Sequence, residues 1–325
     1  MRYARLGTSG LAVSKLSFGA GSLGVGQTLP GLVKNIDQPT ANNIVARLID
    51  AGVNLFDTSD KYVEGKSEET LGTALGARRK DVIVASKCGL PVGPLVTDKG
   101  LSAHHIIGAC EKSLKQLGTD WIDVYYAHTF DRDTPLEETA RAFEHLIQRG
   151  MIRYVAVSNW PAWMAARFLG IQDKHNYAPA ICNQVYYSIV GRDIERELVP
   201  MAQATGLGIV VYSPMAGGFL SGKYERDKPP PPGTRRATFT LAPKLDMDQA
   251  FKVVDLLKEL APKYGATPGA VALAWTMQRP FVSSVTFGIS RESQVAENLK
   301  AADLVISEED SARIDKLTAP DLSWR

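Results

Sequence analysis

The sequence predicts one α/β domain over residues 1–325, a (β/α)8 TIM barrel with an N-terminal β-hairpin and extra helices. Three observations predict it. Short β-branched runs alternate with helix-period segments almost to the C-terminus, the pattern of a parallel sheet with crossover helices. The strand-sized runs number eight, which points to closure rather than an open sheet. Polar side chains with catalytic potential stand just where those runs end, and barrels carry their sites at the C-terminal ends of their strands.

Residues 1–12, centred on Gly7–Gly10, read as a hairpin able to plug the barrel bottom. The strands are expected at Lys15–Phe18, Val53–Phe56, Val82–Ser86, Ile122–Tyr126, Arg153–Val157, Ala180–Asn183, Gly208–Tyr212 and Val282–Thr286. Between them run amphipathic helices. Ile44, Val45, Leu48 and Ile49 form one apolar face after an N-terminal signal at Pro39–Thr40. Leu136, Ala140, Phe143 and Ile147 form another. Residues 214–245 form a long connection containing Pro229–Pro232, and a loop of that length is commonly a lid or binding loop. Pro268–Gln278 and Glu308–Leu317 read as the extra helices, and no linker divides the chain.

Composition narrows the function classes. Of 325 residues 45% are hydrophobic, enough for a large core, and the net charge is only +2 with no long run of one sign. Neither nucleic acid nor a membrane surface is an expected partner. No leader-like segment and no stretch of ~18 apolar residues is present, so a cytoplasmic location is expected. Cys88, Cys110 and Cys182 are odd in number and lack metal-ligand spacing, which argues against a disulfide framework. Cys110 shares an apolar helical face with Ile107, Leu114 and Leu117, whereas Cys88, beside a lysine, is left open as a reactive thiol. His104 and His105 are adjacent and diverge on a helix, so no metal site is expected.

One motif misleads. Gly19-Ala20-Gly21-Ser22-Leu23-Gly24 fits G-x-G-x-x-G and follows a strand. That fingerprint requires a helix to open at once. Here Val25–Gly31 follows, with further glycines and Pro30, and Asp57 lies well beyond the usual ~20-residue spacing. These glycines instead suit close approach of backbone to a ligand at a barrel mouth.

The strand ends carry the chemistry. The second strand ends at Asp57, the third at Lys87, the fourth at His128, the fifth at Ser158-Asn159, the sixth at Gln184, the seventh at Tyr212-Ser213 and the eighth before Gly288; Tyr62 stands in the loop after Asp57. Singly, each reads first as a cap, a turn former, a solvated end or, for the histidine, a satisfied interior donor. Together they form a set suited to carbonyl reduction, which needs a hydride donor and a proton donor. A free tyrosine, pKa ~10, is a poor acid near neutrality. A lysine ammonium beside it favours the phenolate, a carboxylate holds that lysine charged, and a histidine can orient the carbonyl oxygen.

At this point the chain resembles the aldo-keto reductase superfamily, over nine-tenths of its length. The motifs that carry the resemblance are Phe56-Asp57-Thr58-Ser59-Asp60-Lys61-Tyr62 with Gly65 and Ser67-Glu68; Ala85-Ser86-Lys87; Tyr126-Ala127-His128 and the following Asp133–Thr139; Val157-Ser158-Asn159-Trp160; Gln184; Tyr212-Ser213-Pro214-Met215; Gly218–Lys223; and Gly288 with Gln294, Glu297 and Asn298. The resemblance implies that Tyr62 is the general acid, Lys87 and Asp57 its tuning pair and His128 the carbonyl-orienting group. It implies a nicotinamide dinucleotide cofactor, NADP or NAD, and the cation Arg291 with no acidic residue over Gly288–Arg291 favours NADPH. Ser158, Asn159 and Gln184 would hold the carboxamide, and Tyr212 would stack on the nicotinamide. Ser213, Pro214, Met215 and Lys223 would line the pyrophosphate under the 214–245 loop, from which Arg235 is a further phosphate contact. Ser290, Arg291, Gln294, Glu297 and Asn298 would surround the adenosine, and Gly21 and Ser22 would lie near the cofactor.

Many members of that superfamily read the 2′-phosphate with a lysine after the eighth strand, where this chain has Gly288-Ile289. Arg291 is expected to replace it, at the start of a helix capped by Ser290. Leu90, Phe130, Trp160 and Tyr187 are expected pocket walls for a small carbonyl or alcohol substrate, with core packing an equal reading for each. Two other functions remain open: a Schiff-base aldolase using Lys87, and a cofactor-sensing regulatory subunit with little turnover, a role some relatives serve in potassium channels. The natural substrate, the direction of reaction and the oligomeric state are not encoded legibly.

Overall fold

The computed structural model describes residues 1–26, 36–232, 234–238, 245–320 and 322, with Arg235 and Thr238 described in backbone only. Eight parallel strands close a barrel in the order β10-β3-β4-β5-β6-β7-β8-β9. They are β3 (Leu16–Gly19), β4 (Leu55–Asp57), β5 (Ile83–Cys88), β6 (Ile122–Ala127), β7 (Ile152–Ser158), β8 (Ala180–Tyr186), β9 (Gly208–Tyr212) and β10 (Val282–Phe287). All eight expected strands are present. Several run further toward the barrel mouth than their apolar runs suggest. β5 continues past Ser86 because Lys87 and Cys88 still pair with Tyr126 and Ala127, and β8 continues past Asn183 because Gln184 pairs with Val210. Polar side chains end the hydrophobic pattern there without ending the backbone ladder.

The period of two along a strand sorts side chains into two cores. Leu55, Ala85, Val124, Tyr126, Ala156, Cys182 and Val210 fill the barrel interior. The alternate residues, such as Phe56, Val84, Tyr125, Val155 and Val157, pack outward against the helices. Asp57 lies two residues beyond Leu55, and Lys87 two beyond Ala85. Both therefore share the interior face, one layer nearer the mouth.

The expected hairpin is β1 (Tyr3–Arg5) paired antiparallel with β2 (Ala12–Ser14). Its Leu6 and Val13 are fully buried in the interior cluster and close the barrel bottom. Gly7 has φ +61°, and a Cβ there would come within 2.5 Å of Ile181 O and 2.7 Å of Gly208 N. Only glycine permits the plug to sit that close.

Helices α1 (Gln38–Asp50), α2 (Lys66–Leu75), α3 (Ala103–Leu117), α4 (Leu136–Gln148), α5 (Ala162–Lys174) and α6 (Leu198–Thr205) are the crossovers from β3 to β9. The α1 cap is Asp37, whose side chain accepts from Thr40 N at 3.0 Å; Pro39 sits inside the first turn, where its missing N–H is harmless. After β9 the chain differs from expectation. In its described part the 214–245 connection carries a 3-10 turn at Ala216–Ser221, which buries Phe219 and Leu220, and the one-turn α7 (Arg235–Thr238). Next comes α8 (Met247–Lys263), which the sequence reading did not single out, then α9 (Pro268–Gln278). α9 is apolar nearly all round because α8 packs against it on one side and β10 on the other. It is thus the crossover into β10 rather than an accessory, and α11 (Glu308–Thr318) is the accessory helix.

Candidate active site

The strand register brings Asp57 and Lys87 together on adjacent strands, with Asp57 opposite Ala85 and Lys87 opposite Tyr126. Lys87 is wholly enclosed. Its Nζ pairs with Asp57 Oδ1 and donates to Thr58 O at 2.8 Å. The second Asp57 oxygen accepts from Gln184 Nε2 at 2.8 Å. Burial alone would depress the Lys87 pKa, but the charges of Asp57 and Tyr62 and the hydrogen bonds to them outweigh it and raise the value. Lys87 is therefore an ammonium.

Tyr62 approaches from the loop after β4. It opens a 3-10 turn, Tyr62–Gly65, in which Val63 (φ 52°) and Glu64 (φ 57°) both adopt the left-handed conformation. That is a strained state for a β-branched residue. Val63 is fully buried, and its packing holds the turn. The turn delivers the Tyr62 hydroxyl to 3.5 Å from Lys87 Nζ. The His128 ring stands edge-on to the Tyr62 ring, centroids 5.7 Å apart at 86°. Burial, then the Lys87 charge, push the His128 pKa well below the usual histidine range, so the imidazole is neutral. Tyr62 and His128 are partly exposed at the mouth, whereas Asp57 and Lys87 are buried beneath them. The four expected catalytic residues thus form one cluster.

The residues expected at the carboxamide also converge. Asn159 has φ 60°; it donates from Nδ2 to Ser158 Oγ at 3.0 Å and accepts from the Tyr212 hydroxyl at 2.9 Å. Ser158 Oγ donates to Gln184 O at 2.9 Å, and Gln184 reaches Asp57. Hydrogen bonds through Asn159, Ser158 and Gln184 therefore connect Tyr212 to the Asp57 carboxylate. Ser213, also left-handed at φ 55°, accepts from Gly217 N at 3.2 Å and starts the turn that buries Pro214.

Farther along the rim, Ser22 Oγ donates to Ile289 O at 2.7 Å, and a Cβ on Gly21 would lie 3.4 Å from the Tyr62 ring. The glycine run around Gly21 opens no helix in its described part, residues 19–26, and α1 begins only at Gln38. The expectation for the end of the rim needs correction. Ser290 does not cap a helix: α10 spans Gln294–Lys300 with Ser293 at its cap, and Ser290 N and Oγ both donate to Gln294 Oε1, at 2.8 and 3.0 Å. Arg291 consequently sits in an exposed turn ahead of α10, and its carbonyl accepts from Gln294 N at 3.1 Å. It is close enough to Lys223 that its charge, after burial, lowers the Lys223 pKa. Glu292 pairs with Arg47 at 3.2 Å. Gln294 and Asn298 are half-buried beside this loop and Glu297 is exposed. The Arg235 side chain lies outside the described residues.

A family model described as the Aldo/keto reductase family matches residues 15–319. The chain belongs to the aldo/keto reductase family. Similar curated proteins include a "probable voltage-gated potassium channel subunit beta" from Arabidopsis thaliana, 38% identical over 94% of this chain and 92% of the relative. One of the same description from Oryza sativa subsp. japonica is 36% identical over 94% and 92%. A "putative voltage-gated potassium channel subunit beta" from Schizosaccharomyces pombe is 36% identical over 96% and 89%.

Around the centre of this aldo/keto reductase, the expected pocket walls separate. Leu90 and Phe130 are half-buried, and Phe130 meets Trp160 edge-on at 5.6 Å. Trp160 and Asn159 border a cavity of about 590 Å³ that runs between Pro161, Tyr186 and Leu198. Tyr187 has a core environment: fully buried, stacked 6.0 Å from Trp275, with its hydroxyl donating to Glu195 at 2.6 Å. Cys88 is fully buried, and desolvation pushes its thiol far up, the environment of a structural rather than a reactive cysteine. Among the described residues no group of three or more potential metal ligands converges, and no helix is long and apolar enough to cross a membrane.

Sequence reasoning assigned no function to Ser59 and Asp60. Ser59 Oγ lies 3.1 Å from His128 Nδ1 and donates to Asp60 Oδ1 at 3.1 Å. Both residues are inside the motif that carries the family resemblance, but a short polar run after a strand gives no sign of which member turns inward.

Proposed function

We propose that the chain reduces an aldehyde or ketone to an alcohol, or catalyses the reverse, with NADPH as hydride carrier and Tyr62 as proton donor. The observation that carries the reading is the Lys87 ammonium, fixed by Asp57 and Thr58 O, at 3.5 Å from the Tyr62 hydroxyl beneath the His128 ring. The nicotinamide cofactor supplies the hydride when bound. As the carbonyl oxygen gains negative charge, Tyr62 gives it a proton, and the adjacent ammonium stabilises the phenolate left behind. Neutral His128 can orient that oxygen by hydrogen bonding.

The rim suits a dinucleotide. Asn159, Ser158 and Gln184 offer amide and hydroxyl groups beside Asp57, and Tyr212 offers a ring face. Lys223 and Arg291 place two positive charges near each other, a field favourable to phosphate. A Cβ on Gly288 would meet nothing within 4 Å, which leaves room for a ligand beside the backbone.

A Schiff base on Lys87 fits poorly, because that chemistry needs a neutral amine and this lysine is held charged. A second reading has specific support: the relatives above are named as potassium channel β subunits. Under it the same site binds cofactor and turns over little, and the chain partners a channel. The two readings separate on turnover with NADPH and a panel of carbonyls. Tyr62→Phe should abolish nearly all of it while leaving cofactor affinity almost unchanged, since only the hydroxyl is lost. More than a tenth of wild-type kcat in that variant would remove Tyr62 as the proton donor. Negligible wild-type turnover with tight cofactor binding would favour the subunit reading.

A further inference from the structure

Ser59 has a fixed hydrogen-bonding capacity: one hydrogen and two lone pairs. One lone pair accepts from Lys61 N at 3.2 Å. The remaining hydrogen and lone pair face two partners, Asp60 Oδ1 and His128 Nδ1, each at 3.1 Å. Ser59 can therefore donate to only one of them, and the other completes a bond to it only by donating. This couples the protonation of Asp60 to the tautomer of His128.

We propose that Asp60, acting through Ser59, is a positioning residue that sets which ring nitrogen of His128 carries the proton, and so whether His128 meets the substrate as a donor or as an acceptor. With Asp60 ionised, Ser59 donates to it and accepts from His128 Nδ1–H. Nε2 then carries a bare lone pair, suited to accept from the hydroxyl of an alcohol. With Asp60 neutral, its O–H donates to Ser59, Ser59 donates to Nδ1, and Nε2–H can donate to a carbonyl oxygen. The change is balanced. The Nδ1 proton passes to Ser59 as the Ser59 proton passes to Asp60, and Nε2 takes one proton from water at the mouth. The net uptake is one proton, with no change at any other bond. The proposal rests on the reductase reading above and adds a direction to it: the neutral form supports reduction and the ionised form supports alcohol oxidation.

The surroundings allow the coupling. Asp60 is 4% exposed, and its Oδ2 has no hydrogen-bond partner among the described residues, so burial and the groups that favour its charge oppose one another. Burial raises its pKa to about 7, opposed by the bonds from Ser59 and the Lys61 backbone and by the charges of Lys112 on α3 and Lys87 on β5. Glu68 on α2, Cys88 on β5 and Tyr125 on β6 also interact with it electrostatically. His128 does not compete for the proton as an imidazolium, because burial and Lys87 keep it neutral. What varies across neutral pH is its tautomer and not its charge.

The direct test is ¹⁵N NMR of the histidine rings between about pH 5.5 and 8.5, which distinguishes the two neutral tautomers without any turnover. His128→Gln assigns the signal among the 5 histidines. The expected result is a passage from Nε2–H to Nδ1–H with one midpoint near neutrality. Asp60→Asn, which keeps the shape but cannot titrate, and Ser59→Ala, which cuts the link, should each make the tautomer independent of pH. In parallel, reduction should fall about tenfold per pH unit above the midpoint in the wild type, and that fall should vanish in Asp60→Asn. A pH-invariant tautomer in the wild type, or a transition that survives both substitutions, overturns the proposal. The readouts are separable from the reading beneath them. A chain that shows the transition but reduces nothing keeps the relay and loses the reductase assignment; one that reduces carbonyls with a fixed tautomer does the opposite.

Discussion

Asp57 and Lys87 form an ion pair at the floor of the barrel mouth, with Lys87 fully enclosed and the Asp57 side chain only 5% exposed. Neither charge has water to fall back on. Removing one partner leaves the other buried and uncompensated, which for such pairs is worth about 3–5 kcal/mol. Lys87→Met and Asp57→Asn should each lower stability on that scale in chemical denaturation. The double variant should cost clearly less than the sum of the two, because it leaves no orphan charge. Strict additivity would mean that the two side chains do not act as a pair.

The barrel was legible because its signal is periodic and repeated: each apolar run from Leu16 to Val285 predicts a strand whatever its neighbours do. The convergence of the candidate site was legible because Asp57, Lys87 and His128 stand where strand patterns stop. The phosphate end was read less well. The sequence places Ser290 before a polar residue as a cap would be, but the Gln294 side chain takes both Ser290 donors and the helix starts later. Local pattern cannot weigh a side chain four residues away against a backbone bond. α8 was missed for a related reason: the proline-rich stretch before it suggested a loop, although Ala250, Phe251, Val254, Leu257 and Ala261 carry a helical period.

Asp60 and Glu68 make stability depend on pH in an unusual direction for carboxyls. Burial raises both, from 3.8 and 4.5, to about 7. Between those limits the native chain binds more protons than the unfolded chain. Their contribution is therefore full below about pH 4 and is lost as pH rises through about 7. Glu68→Gln removes one of the two carboxyls. The variant should lose less stability than the wild type between about pH 5 and 8, by an amount on the order of 1–3 kcal/mol. Equal losses in the two proteins, measured by urea unfolding at both pH values, would show that Glu68 titrates normally.

The 214–245 segment should respond to cofactor unevenly. Phe219 stacks 5.4 Å from Tyr224 and meets Phe251 at 5.1 Å, which anchors its first third in the core. Residues Glu225–Pro232 are exposed. If the segment folds over the pyrophosphate, NADPH should protect the bonds after Lys223 and Arg226 from trypsin by severalfold. Identical cleavage rates with and without NADPH would remove the covering role and leave 214–224 as a structural turn.

Arg291 decides the cofactor prediction. A 2′-phosphate carries up to about two negative charges and favours a planar, bidentate cation. Arg291 is not in the first turn of a helix, since α10 begins at Gln294. Two other features compensate. Lys223 is near enough to add to the positive field. Glu292, the residue that would oppose a phosphate, is paired with Arg47 at 3.2 Å. That pair is solvent-exposed and contributes little to stability, so its effect is one of direction: it occupies the carboxylate. NADPH should accordingly bind more tightly than NADH. A charge-assisted contact is worth about 1.5–3 kcal/mol, or roughly ten- to hundred-fold in affinity. Because Arg291 is exposed, Arg291→Ala should fall toward the lower part of that range for NADPH and leave NADH nearly untouched. Arg47→Ala frees Glu292 and should weaken NADPH selectively by a smaller factor. Fluorescence titration of both cofactors against the three proteins reads the outcome. Equal weakening of NADPH and NADH in Arg291→Ala, or a wild type that prefers NADH, would move the 2′-phosphate site away from Arg291.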